Sequence, residues 1–131
     1  MSGETDLIKI LEQLSPILVP GNYVFCSVKG KYGDYAELSP LGCFTEKEGL
    51  TLILEQNSAD NAGLAYDAVL RMITLSVHSS LDAVGLTAAV ATKLTEHGLS
   101  ANVVAAFYHD HVFVQAEKAE LATSVLEGLA N

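Results

Sequence analysis

The sequence predicts an α+β fold, an antiparallel sheet carrying its helices on one face. Short runs of apolar residues alternate with period two, the writing of strands, and the second half orders its segments strand, helix, strand, strand, helix. That order is most of a split βαβ unit. Half of the 131 residues are apolar, so a chain of this length can bury roughly two thirds of its unfolded surface.

Leu7, Ile8, Leu11 and Leu14 recur at helical spacing, and Ser15-Pro16 ends the pattern because proline disfavours helix in the residue before it. Residues 17–19 are a short apolar piece ahead of the Pro20-Gly21 break. NYVFCSVK, 22–29, then sets Val24, Cys26 and Val28 against Tyr23, Phe25 and Ser27 as a strand would. KGKYGD supplies turn residues, 35–44 has no clear period, and TEKEG leads into LTLILE, 50–55, whose unbroken apolar run predicts a strand buried on both faces. QNSADNAGL, 56–64, is dense in Asn, Asp, Ser and Gly and has room for one helical turn. It divides the chain into halves 1–65 and 66–131.

The second half is more regular. Residues 68–78 read as a long strand and 81–97 as a helix with Leu86, Val90 and Leu94 on one face. Gly98 stands where helices often stop in a left-handed turn. Residues 102–108 and 111–115 are two strands around a hairpin turn at His109-Asp110, and Ala119, Ala122, Val125, Leu126 and Leu129 stripe a closing helix. The last strand of the split unit is missing, and half a chain is marginally stable alone. The halves are therefore expected to pack together, with the first half, or a second copy in a homodimer or larger oligomer, covering the open sheet edge.

The balance of 16 acidic against 7 basic residues gives a net charge of −9, which repels phosphate backbones and anionic lipid. Arg71 is the sole arginine and the lysines at 9, 29, 31, 47, 93 and 118 are scattered, so no basic stripe marks a nucleic-acid partner. No stretch approaches the roughly 20 apolar residues of a membrane span, and the acidic start lacks the pattern of a secretory signal. Cys26 and Cys43 are too few for a disulfide framework, although sequence alone gives no distance to exclude a bridge between them. The expected setting is soluble, reducing and cytoplasmic.

The stretch VHSSLDAVGLTAAVATKL, 77–94, carries the strongest chemical signal. Ser79 or Ser80 can cap the helix, and Asp82 suits the positive end of its dipole. Yet one cap needs one such residue, and Gly85 within the first turn costs about 1 kcal/mol relative to alanine. A missing side chain there lets a ligand or a neighbouring backbone approach the helix start, whose free N–H groups attract a carboxylate, while Asp82 or a loop carbonyl receives an ammonium.

With DAVGL at 82–86, this stretch resembles the first strand, loop and helix of ACT domains, whose loop commonly reads Asp-x-x-Gly-Leu. EKEGLTLIL, 46–54, and VHSSLDAVGLTAAVA, 77–91, are similar to two stretches of a small bacterial family of paired ACT-like modules, formerly a domain of unknown function. The resemblance spans nearly the whole chain. It implies ferredoxin-like (βαββαβ-type) modules that are not enzymes and that bind a small ligand, usually an amino acid, at an interface between ACT units. Its ligand side would comprise Ser79, Ser80, Leu81, Asp82, Val84 and Gly85, with Asn102 and Val103 from the next strand. Some ACT domains only mediate assembly, so a structural or protein-interaction module regulating an enzyme or transporter is the alternative.

Other residues carry weaker chemical signals. His109-Asp110-His111 could offer two imidazoles to a metal, but only His78 or His97 could complete the set, so no metal or cofactor is expected. His97 suits a helix C-terminus. Neither cysteine lies in a catalytic signature, and both fit apolar space. Glu46 and Glu48 flank Lys47 as a solvated turn, and GKYG lacks the Lys-Ser/Thr ending of a phosphate loop.

Overall fold

The computed structural model describes residues 6–76 and 85–130. Its contacts divide the chain into two units, Gly21–Leu70, and Met1–Pro20 together with Arg71–Asn131. Both are antiparallel α+β structures, as the sequence predicts.

In the unit Gly21–Leu70, strands β2 (Tyr23–Val28), β3 (Gly42–Thr45) and β4 (Leu50–Glu55) form a sheet of order β3-β4-β2. The register sets Val24 opposite Leu54, Cys26 opposite Leu52 and Val28 opposite Leu50, so six apolar side chains share one face. They bury against Ala59 of helix α2 (Gln56–Asn61) and against Tyr35, Leu38 and Tyr66. Ile53, on the opposite face, is also buried, in keeping with the unbroken apolar run of β4. The turn residues of KGKYGD include a 3-10 turn, Tyr32–Asp34, and the segment without clear period holds a second, Ala36–Leu38, and the start of β3. Gly33 and Pro40 bracket too short a run for a longer helix, and the Asp34 carboxylate accepts the Lys31 N–H at 3.0 Å to hold the first turn.

The other unit begins with helix α1 (Leu7–Gln13), capped where the Asp6 carboxylate accepts the Ile8 N–H at 3.0 Å. Strand β1 (Ser15–Leu18) comes next, then, after the first unit, β5 (Leu70–Ser76), helix α3 (Leu86–Glu96), β6 (Asn102–Ala105), β7 (Asp110–Gln115) and helix α4 (Ala119–Glu127). The order across this sheet is β1-β5-β7-β6. The strand missing from the split βαβ unit is thus β1, the short apolar piece near the N-terminus, which pairs antiparallel with β5 from Ser15 opposite Ser76 to Leu18 opposite Ile73. Pro16, without an N–H, is tolerated because β1 lies at the margin of this sheet.

Ile73 and Leu75 of β5 and Val112 and Val114 of β7 join the core formed with α1, α3 and α4, where Ile10, Leu86, Val90, Leu94, Ala122 and Leu126 complete it. Each large side chain buried in this way contributes about 1.5–3 kcal/mol. The hairpin turn lies two residues earlier than expected. Phe107 and Tyr108 form its tip, closed by the Ala106 N–H donating to the His109 carbonyl at 3.1 Å, and Asp110 already pairs with Ala105 in the ladder. The polar pair has turn chemistry, but register places an aromatic pair there instead.

Candidate functional site

Helix α3 starts at Leu86, with Gly85 as its N-cap at φ 98° and ψ −11°. The cap expected at Ser79 or Ser80 therefore falls on glycine, the residue that adopts this left-handed geometry without steric cost. Because Gly85 precedes the helix, the interior penalty expected for it does not arise. Its missing side chain has a partner within the chain: a Cβ there would stand 2.9 Å from Leu7 Cδ2 of α1. The space vacated beside the helix start is filled by a leucine methyl, a neighbour that no local pattern announces. In the sequence Leu7 is only one member of an apolar stripe.

Ser79, Ser80, Leu81, Asp82 and Val84 lie outside the described residues. Of the remaining predicted positions, Asn102 spends its side-chain amide within the hairpin, donating from Nδ2 to the Phe113 carbonyl at 3.1 Å. Val103 packs against the same core as Leu86 and Leu7. The structure thus brings Gly85, Leu7 and Leu86 together and places Val103 on their core. The first turn of α3 holds no acidic residue, which leaves its amide end electropositive.

His111 has another partner. His111 Nδ1 lies 3.0 Å from Thr74 Oγ1 across the sheet. Burial holds the His111 pKa below the ordinary value, with His109 acting in the same direction and Asp110 against it. Burial pushes Asp110 upward, opposed by both imidazoles. Among the described residues no three His, Cys, Asp or Glu side chains gather as an ion would require. Cys26 and Cys43 are free, and both pair with Leu52 from opposite sides of β4. Two strand spacings, roughly 9–10 Å, separate them, which rules out the bridge that sequence left open. Burial raises the Cys26 pKa, the reverse of nucleophile activation.

An ACT domain family profile matches residues 2–71, and a second ACT domain profile matches residues 68–128. The chain belongs to the ACT domain family. A Vibrio cholerae protein of unknown function, described as a possible transport protein, is 54% identical, with a TM-score of 0.89 over 95% of this chain and 96% of that one. An Agrobacterium tumefaciens protein shares 15% identity at a TM-score of 0.74, covering 89% of each chain. The regulatory subunit of aspartate kinase from Thermus flavus shares 9% identity at a TM-score of 0.66, over 89% of this chain and 97% of that one. At such identities the likeness is one of fold. Among curated proteins none matches the sequence.

The two ACT matches account for the chain almost from end to end, and they fit the ferredoxin-like strand order β1-β5-β7-β6. No described helix is long and apolar enough to cross a membrane.

Proposed function

We propose that the chain is a non-catalytic ACT regulatory module that senses a small carboxylate, foremost an amino acid, at the start of α3. The ligand set is Ser79, Ser80, Leu81, Asp82, Val84 and Gly85, with Asn102 and Val103 from β6. The observation that carries this reading is that α3 opens on a glycine cap with no side-chain capping bond and no acid in its first turn. Among the described residues no side chain caps the amides of its first turn, which a carboxylate would complete. Asp82 would receive the ammonium group. The site belongs to the half 66–131, and the half 1–65 is the companion module that lends it β1.

Binding would act by population shift, the ligand favouring whichever arrangement of modules it fits better. The arrangement includes a second copy. Within its unit β1 carries Pro16, whereas the opposite margin, β6 with the sequence NVVA, has neither charge nor proline to discourage pairing. A reducing, cytoplasmic setting agrees with two free cysteines.

A thermal-shift screen across the amino acids tests the proposal. A ligand at 100 times its dissociation constant adds about 2.7 kcal/mol of stability, and Asp82→Ala abolishes that shift. Silence from every amino acid and related acid would sink the sensing role. One observation favours the alternative, an assembly module for an enzyme or transporter: Leu7 already fills the space beside Gly85. Co-purification of a stoichiometric partner from the source cell, together with a silent screen, would establish it.

A further inference from the structure

We infer that the outer face of the β3-β4-β2 sheet holds a second site, one for an organic amine with an apolar body. This face is opposite the core of its unit. The register aligns Ser27, Thr51 and Phe44 in one row and Phe25, Ile53 and Gly42 in the next. Ser27 and Thr51 are short, so they form a low floor between the two phenyl side chains. A shallow, open depression of about 520 Å³ lies there, lined by Phe25, Cys26, Ser27, Phe44, Glu46 and Thr51. Small-molecule sites commonly enclose ~300–1,000 Å³.

The lining specifies its occupant. Phe44 is 71% exposed although it sits in a paired strand, so its ring is presented outward rather than packed. Glu46 supplies the only charge in the lining. Its carboxylate accepts the Thr51 hydroxyl and has no cationic partner among the described residues. A carboxylate in one lining with the exposed Phe44 ring suits an ammonium, which the acid attracts directly and an aromatic ring attracts through its quadrupole. A free carboxylate on the ligand would meet no positive lining group and a chain of net charge −9. The ligand class is therefore a monoamine carrying an aromatic or aliphatic body, distinct from the zwitterion proposed for α3.

The test is a titration of the ¹⁵N-labelled full chain with 2-phenylethylamine, with 3-phenylpropionate as the control of opposite charge. The expected result is saturable shifts of the amides of residues 25–27, 44–46 and 51 with the amine, and affinity for the acid weaker by about tenfold or more, a difference of about 1.4 kcal/mol. Glu46→Gln, which keeps an acceptor for Thr51, should lose the preference for the amine. Phe44→Ala, at an exposed position, should weaken binding while the spectrum stays dispersed. Equal binding of both probes, shifts that map elsewhere or do not saturate, or the same amides responding to protein concentration alone would overturn the inference. The last outcome would make this face a contact between copies.

Discussion

The unit Gly21–Leu70 and the unit drawn from both ends of the chain share a pattern, a strand followed later by a hairpin, β2 with β3-β4 and β5 with β6-β7, and differ in the segment between them. After β5 the second unit builds α3, eleven residues with Leu86, Val90 and Leu94 buried. After β2 the first has only two 3-10 turns, with Tyr35 and Leu38 as partly buried cover. A full helix presents a row of side chains to the sheet and an electropositive end. A pair of tight turns gives neither, so the carboxylate chemistry proposed at α3 has no counterpart in the other unit, where polar chemistry lies on the outer face.

The largest effect expected on this contrast comes from removing residues 1–20. That truncation takes away β1 and the buried Ile10 and Leu14, and the unit containing α3 should lose its native spectrum altogether. Retained dispersion for residues 71–76 and 110–115 would show that β1 is dispensable. Next in size, Leu94→Ala removes a fully buried side chain from α3 and should cost about 2–5 kcal/mol in urea denaturation. Leu38→Ala, on a 3-10 turn and only partly buried, should cost about 1 kcal/mol. Equal losses would mean that the turns cover their sheet as firmly as the helix does.

Gly85→Ala should come third at about 1–2 kcal/mol, because alanine resists the left-handed geometry and its Cβ would meet Leu7. Adding Leu7→Ala relieves the contact but not the backbone strain, so the double variant should melt no higher than wild type. Gly63→Ala, with open space around its Cβ, reports the backbone part alone.

The smallest effect is on pH dependence. The folded state lowers the His111 pKa below 6.5, so the unfolded chain takes the proton more readily. Stability should therefore fall as pH drops from 6.5 toward the folded-state value and level off beneath it. Asp110, raised above 3.8, acts the other way at lower pH: the folded state is protonated first, and stability is gained on acidification through that window. Melting temperatures of His111→Asn across these windows should lack the upper slope, and an unchanged slope would assign it to another group.

Much of this fold was legible because period and punctuation coincide. Val24, Cys26 and Val28 alternate between a proline-glycine break and a glycine turn, and Leu86, Val90 and Leu94 share a stripe that ends at Gly98. The strand Ser15–Leu18 was not legible as such. Four residues are too few to display a period, and its pairing with β5 crosses more than fifty positions that local reading cannot bridge. The hairpin turn misled for a related reason: His109-Asp110 has turn chemistry, but register with β6 decided the matter. At the candidate site, Gly85 was legible as special. That its conformation and Leu7 both require glycine depends on a packing contact made by residues far apart in sequence, which only coordinates reveal.

The origin of β1 has a consequence for biosynthesis. A ribosome delivers Ser15–Leu18 well before β5 and its helices exist, and at ~5–20 residues per second the intervening fifty or so residues impose a wait of roughly 3–10 s. During that interval the strand is an unpaired apolar ribbon while the residues of Gly21–Leu70 are being made, and these have all their own partners by its end. The later module must then capture a segment already made, so a bulky N-terminal fusion or an early chaperone contact would slow its maturation more than the same burden placed at the other terminus.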